Sequence, residues 1–409
     1  MRVATSTLYQ QGLASMNDQQ GSLYTIQQQL ATGRRILTPS ADPVAATRAL
    51  SVSQASAVND QFAASRKQAN VALSMEARSL DTVTTVIQNI QTELVHAGNG
   101  TMSDVDRDSL ATALQGQYDQ LLGLANADNG NGQYIFAGLQ SGAAPFGKDA
   151  AGVMQYKGDT GQQLLQVDVA RQMPAGDDGR SVFQSVAATA GYVLQGNTAN
   201  SGTGTFGSVT TTDPADPLFG HAFSLTFQGS AAAGTLTYTL TDQSTTPPTV
   251  GAATPYTPGT AIDVAGITFS VTGAPAAGDT MTMKPAAQAG TDMFTNLQTV
   301  IDTLRKPATS DAEKANLNNV LATGLRQFSN SLDNVLTVNA SVGSRMNELD
   351  ALDTIGTNRT LNYAQSLSDL QDLNYAQAMT EYYQRQTALQ AAQQSFMQIQ
   401  GMSLLRFMG

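Results

Sequence analysis

Side chains able to do chemistry are few in this sequence, and they are poorly placed for it. The two histidines, His96 and His221, stand far apart in the chain, and there is no cysteine. Neither a multi-histidine nor a thiolate metal site therefore has its ligands. Asp128-Asn129-Gly130-Asn131-Gly132 begins like a calcium loop, but the acidic residue that should close the loop is missing, so a plain turn is expected. Asp177-Asp178-Gly179 also reads as a turn. His221 follows Phe219-Gly220 in an expected loop with no partner for a nucleophilic triad. His96 falls near a helix end, where it suits the helix dipole. There is no GxxxxGK[ST] phosphate loop and no HExxH helix. The expectation is a non-enzyme with no catalytic residue, no cofactor and no metal.

The sequence is patterned instead in its apolar spacing. Leu73, Leu80, Ile87 and Leu94 step by heptads, with Val83 and Ile90 at the second seam position. Phe328, Val335, Val342 and Leu349 do the same, flanked by Leu325, Leu332 and Met346. Such spacing keeps a narrow apolar stripe facing a partner helix through several turns. These inner segments, about 43–127 and 293–363, are expected to form an intramolecular bundle. The outer segments carry the same signal: Tyr9, Met16, Leu23 and Leu30 with Ile26 near one end, and Tyr375, Tyr382, Leu389 and Phe396 with Ala378, Ala392 and Ile399 near the other.

The breaks between helices are equally readable. Thr38-Pro39-Ser40-Ala41-Asp42-Pro43 interrupts the first helix, because each proline disfavours the α region for its predecessor. Ser103 with Asp106 and Ser310 with Glu313 are capping-box starts, and the second helix is expected to run to about residue 360. Lys306-Pro307 and the stretch from Asn126 to Gly132 are turns. Between them lies a different composition. Phe223, Leu225 and Phe227 alternate with Ser224 and Thr226; Leu236, Tyr238 and Leu240 alternate with Thr237 and Thr239; Ile267, Phe269 and Val271, and Met281 and Met283, repeat the pattern. This is the period of half-buried strands.

The expected fold class is therefore α+β: N- and C-terminal helices forming a coiled-coil-like core and a helical bundle, with an inserted outer β-rich domain. The expected parts are 1–42 with 364–409 (terminal helices), 43–145 with 291–363 (bundle), and 146–290 (β-rich, with 199–290 as an extension). In 409 residues, 32 acidic against 21 basic side chains leave a net charge of −11. That balance argues against a nucleic-acid binder. No apolar run is long enough to cross a membrane, so no membrane insertion is expected, and the N-terminal stretch lacks the pattern of a secretory signal.

The terminal helices stand apart in composition. Between Met1 and Thr32 the only charges are Arg2 and Asp18, and residues 365–409 hold ten glutamines and five charged side chains. Faces of Gln, Ala, Ser and Tyr can pack against other chains without burying a charge. Their seams, with no obvious partner inside the chain, are assigned to contacts between subunits.

Leu30-Ala31-Thr32-Gly33-Arg34-Arg35-Ile36 followed by Pro39-Ser40-Ala41-Asp42-Pro43 resembles the LxTGxRI…xxDDP segment of the flagellin superfamily, with Ala41 in place of the first acid of the pair. Gly33, Arg34, Asp42 and Pro43 carry that likeness. Near the other end NVLTVNASVGSRMNEL (Asn334 to Leu349) resembles the superfamily's VGxRxNxL core through Gly343, Arg345 and Asn347. The stretch from His96 to Gly138 and Tyr156-Lys157-Gly158-Asp159 are similar to the hook–filament junction branch of that superfamily. Ala265 to Pro285 resembles a β unit of hook-associated proteins. The resemblance implies a structural protein of the bacterial flagellum, extracellular after flagellar type III export, with terminal helices that line the inner tube and are disordered before assembly. It implies a homo-oligomeric ring with another hook-associated protein on the hook side and flagellin on the filament side, and a cytosolic export chaperone binding at about 365–409. Flagellin itself is the alternative, followed by a secreted coiled-coil adhesin.

Overall fold

The computed structural model describes residues 5–230 and 233–407, with side chains described for 7, 10–230 and 233–398. Tyr9 and Ile399, the outermost seam residues, have side chains outside the described residues. Three helices come first: α1 (Thr5–Thr32), α2 (Pro43–Ala97) and α3 (Asp104–Ala125). Two hairpins follow, β1 (Phe146–Lys148) with β2 (Met154–Tyr156) and β3 (Leu164–Asp168) with β4 (Arg171–Pro174), and then the short helix α4 (Gly179–Phe183). The β-rich region holds β5 (Tyr192–Gly196), β6 (Thr205–Phe206), β7 (Thr210–Thr211), β8 (Phe223–Gln228), β9 (Thr237–Asp242), β10 (Thr249–Val250), β11 (Thr254–Pro255), β12 (Ala261–Val264), β13 (Ile267–Thr272) and β14 (Thr280–Pro285). The chain returns to helix in α5 (Met293–Leu304), α6 (Asp311–Gln371) and α7 (Tyr375–Phe407). Two compact units result, one of residues 1–64 with 351–409 and one of 65–350.

In the unit 65–350 the inner heptads are the core. Leu73, Leu80, Val83, Ile87, Ile90 and Leu94 on α2 are all buried, as are Phe328, Val335, Val342 and Leu349 on α6. An aromatic cluster fastens β1 and α4 to α3 and α5. The ring of Phe294 on α5 lies 5.7 Å from Tyr118 on α3 and 5.2 Å from Phe146 on β1. Phe183 on α4 sits 5.5 Å from Phe146 and 5.3 Å from Phe136, edge-on to both. Rings at these separations and tilts gain attraction beyond the area they bury.

The strands pack as two antiparallel sheets around a second core. One follows the order β10-β9-β8-β14-β5, and β12-β13-β6 lies opposite, with β11 and β7 pairing at the sides. Phe223, Leu225, Phe227, Met281 and Met283 meet Phe206, Ile267, Phe269 and Val271 in one cluster. The alternation expected on β8, β13 and β14 is the buried face. On β9 it is less clean: Tyr238 and Leu240 are half-buried, and Thr239 on the opposite face is also buried. A polar face of α6 answers the backbone of the strands. Asn319 accepts from Phe206 N (3.2 Å) and donates to Gly204 O (2.9 Å), Thr323 donates to Leu194 O (2.7 Å), and Arg326 donates to Tyr192 O (3.2 Å). Residues at this spacing share one face of a helix, so Asn319, though buried, leaves no polar group stranded.

The helix starts are those the capping residues indicate. Ser103 and Asp106 exchange both bonds of a capping box. At α6, Glu313 accepts from Ser310 N (2.7 Å) and Thr309 N (2.9 Å), while Ser310 Oγ accepts from Glu313 N (3.2 Å). The helix then runs to Gln371, beyond the expected residue 360, because nothing in 360–371 breaks it.

Two outcomes follow. Phe294→Ala removes a fully buried ring shared by α3, β1 and α4, and should cost about 3–5 kcal/mol in urea unfolding of the unit 65–350. The backbone bond from Ser310 and the others around it hold the Glu313 carboxyl down at about 2, so its contribution is present above its ordinary range and lost as pH falls toward 2. The Ser310 and Glu313 amide resonances should shift over that window, and Glu313→Gln should remove the dependence.

Candidate functional site

The unit formed by 1–64 and 351–409 is organised around a join between two connectors, the one that follows α1 and the one that precedes α7. α1 ends where Gly33 adopts φ +69°, a left-handed conformation that closes helices readily only with glycine, and Gly33 N donates to Gln29 O (2.8 Å). The segment after it pairs with the segment between α6 and α7: Leu373 N donates to Gly33 O (2.9 Å) and Arg35 N to Gln371 O (2.7 Å), so that Arg34 and Asp372 form an antiparallel bridge. Arg35 reinforces the join. Its guanidinium donates to Leu370 O (2.8 Å), near the end of α6, and meets Asp42 Oδ2 (3.4 Å). Asp42 in turn caps α2 by accepting from Ala45 N (3.0 Å), and Pro43 takes the first helical position, where no N–H is needed.

On one side of this join α1 lies against α7 in antiparallel fashion. A Cβ added to Gly12 would come within 3.2 Å of the Phe396 ring, and one added to Gly33 within 3.0 Å of the Tyr375 hydroxyl. Each seam that the sequence leaves without a partner in its own chain thus finds one in the other terminal helix. Ile26 and Ala378 are buried, while Met16, Leu23, Leu30, Tyr382, Leu389, Ala392 and Phe396 are half-buried; Tyr375 stays 54% exposed. The heptad signal alone does not say whether the facing helix belongs to the same chain or another.

A second stripe lies beside the first. Met379, Tyr383 and Met397 on α7 are all exposed, as are Leu13 and Tyr24 on α1. At about 100° per residue these positions fall on one line along each helix, roughly a third of a turn from the seam. Among the described side chains of this unit the buried apolar residues are Ile26, Ala45, Ala49 and Ala378. The join also borders an open groove of about 520 Å³ lined by Arg34, Leu37, Pro39, Pro43, Ala46 and Leu50.

The remaining motif residues lie in the unit 65–350. Arg345 on α6 is an ion-pair residue: it pairs with Asp177, and its guanidinium reaches Pro174 O (3.5 Å). Gly343 is half-buried with open space where a Cβ would stand, and Asn347 is exposed. Asp177 and Asp178 do more than the expected turn, since Asp178 caps α4 by accepting from Ser181 N (3.0 Å). Asp128 and Asn129 are used by their own turn, accepting from Gly130 N and Asn131 N. His221 does have a partner the sequence did not disclose, Asp242 Oδ2 at 2.7 Å; they are 21 residues apart and are brought together by the register of β8 and β9. The histidine bond and Ser244 N hold the Asp242 carboxyl below its usual range. His96 is exposed, 3.9 Å from Glu93.

Gly33→Ala tests the join. Forcing a Cβ into the left-handed conformation costs roughly 1–2 kcal/mol, and it meets the Tyr375 hydroxyl besides. Protection of the Leu373 amide against hydrogen exchange should fall accordingly, while amides of α3 and α5 keep theirs.

Residues 3–141 match the family described as the bacterial flagellin N-terminal helical region. Over its whole length the chain is similar to longer-range relatives as well. It is 33% identical to flagellar hook-associated protein 3 of Escherichia coli over 407 residues, covering 99% of each chain. The crystal structure of flagellar hook-associated protein 3 from Legionella pneumophila superposes with a TM-score of 0.71 at 26% identity, over 78% of this chain and 98% of that one. A structure of the flagellar junction protein FlgL from the same organism gives 0.68 at 26%, over 80% and 100%. The flagellin family match spans the first third of the chain, whereas the match to hook-associated protein 3 runs through the terminal helices, the bundle and the strands alike. On that full-length identity the chain belongs to the flagellar hook-associated protein 3 family.

Proposed function

We propose that this flagellar protein is a non-catalytic adaptor that closes into a ring at the hook–filament junction, meeting another hook-associated protein on one side and flagellin on the other. The observation that carries this reading is the second apolar stripe on α1 and α7, which the pairing of those helices leaves uncovered. Exposed Leu, Met and Tyr at helical spacing are a surface awaiting burial. Full burial of such a side chain is worth about 1.5–3 kcal/mol. The near absence of charge on these helices lets a neighbour cover them without desolvating an ion.

Residues 1–42 with 364–409 serve in this reading as the inner tube, 43–145 with 291–363 as the helical bundle, and 146–290 as the outer β-rich domain, with 199–290 its extension. The seam residues belong to the pair, and the neighbouring stripe meets the next subunit. Between Ser181 and Met283 there is no lysine or arginine, which suits an outer surface that does not recruit anions. The protein passes through the flagellar type III apparatus before assembly, and the segment 365–409 is held by a cytosolic chaperone until then. Covering that segment keeps the stripe from meeting other copies too early.

Met379→Lys combined with Tyr383→Lys places two charges on the exposed stripe and leaves the seam intact. The variant should melt like the parent in solution yet fail to appear at the distal end of the hook when labelled on intact flagella, with motility lost. Normal incorporation and swimming would remove the stripe from the assembly contact.

A further inference from the structure

We propose that Glu76, Asp177 and Arg345 form a proton-operated latch in the unit 65–350, in which one proton shared by two buried carboxylates pins the segment Pro174–Asp178 between α2 and α6. Glu76 stands on α2 with its side chain fully buried. Its Oε1 accepts from Asp177 N (3.1 Å), but its Oε2 is enclosed and has no hydrogen-bond partner. Arg345 comes from α6, pairs with Asp177 Oδ2 and reaches Pro174 O. Asp177 Oδ1 takes a bond from Gln162 (3.2 Å). Three stretches distant in sequence thus converge on one spot, where both Asp177 and Arg345 are also largely buried.

The charges do not balance if both acids are ionised. Two carboxylates and one guanidinium would leave a net negative charge in a closed space, with one oxygen unsolvated. Other charged groups nearby do not supply the difference. Asp178 turns its carboxylate to the start of α4, and Arg171 and Glu348 form a bidentate pair with each other at 2.6 and 2.7 Å. A proton on Glu76 resolves the imbalance: the neutral acid still accepts from the Asp177 amide and gains a hydroxyl to donate to the Asp177 carboxylate. Burial first, and the Asp177 charge second, push Glu76 up to about 8, against the opposing pull of Arg345.

The sign of the linkage follows. A carboxyl that titrates near 8 when the latch is closed and near its ordinary value when it is open favours closure at low pH. That advantage is whole below the ordinary carboxyl range, shrinks as pH rises, and is gone by about 8. The latch therefore tightens on acidification and loosens toward alkaline pH.

Hydrogen exchange at the Asp177 amide in the full chain, corrected for the intrinsic rate, reads this directly. The opening constant should rise about tenfold per pH unit between about pH 5 and 8 and then level off. Glu76→Gln, which imitates the protonated acid, should make it independent of pH. A flat profile in the parent, or the same slope in E76Q, would overturn the latch. Should E76Q not fold, the carboxyl carbon of Glu76 in the parent decides: a midpoint near 8 supports the latch, and one in the ordinary range refutes it.

Discussion

Two backbone hydrogen bonds, Leu373 N to Gly33 O and Arg35 N to Gln371 O, set the register on which the terminal helices depend. Helices of 28 and 33 residues leave this point in antiparallel directions. Each successive residue turns a helix by about 100°, which is close to the angle between the seam of each helix and its exposed stripe. A slip of one residue at this join would therefore exchange the two, turning Met379 and Tyr383 inward and Tyr382 and Leu389 out. This explains why the join is made so stiff. A left-handed glycine, a paired bridge and an arginine that ties the end of α6 to the cap of α2 leave few alternative registers.

The sequence discloses what is local or periodic and conceals what depends on long-range register. Heptads on α2 and α6 predict their buried faces, because a narrow stripe repeated over many turns has no other stable use. Ser103 and Ser310 predict helix starts, because their hydrogen bonds close within a few residues. By contrast, Asp177 with Arg345 and His221 with Asp242 are invisible, since the partners are brought together by the folding of intervening strands and helices. Asn319 looks like an ordinary residue on a solvated face until the strand edge that it satisfies is in place. The terminal seams fall between these cases. Their existence was plain, but the identity of the facing helix was not, because an apolar stripe carries no address.

The family motifs acquire physical content in the same way. Gly33, Arg34, Asp42 and Pro43 are parts of one join: a positive φ, a bridge, a cap and a first-turn proline. Arg345 answers to a different need, the holding of a loop whose own carboxylate would otherwise lie buried beside that of Glu76. Asp42 and Arg345, read as signature residues in the sequence, are in the fold residues whose substitution would leave a donor or a charge without its counterpart, whereas Gly343 faces open space and Asn347 is exposed.

The two compact units differ most in what they bury. The unit 65–350 encloses the inner heptads, the Phe294 cluster and the strand core, while the described side chains of the other unit contribute one isoleucine and three alanines. Ordering a residue costs about 1–2 kcal/mol of backbone entropy, and long helices recover most of that through the face they bury rather than through propensity. A pair held by so small a core sits near the balance point, with its second stripe still facing water. In the proposed ring, pairing within the chain and folding on assembly become two stages of one process: the join sets the register, and neighbouring subunits supply the apolar burial that the pair lacks.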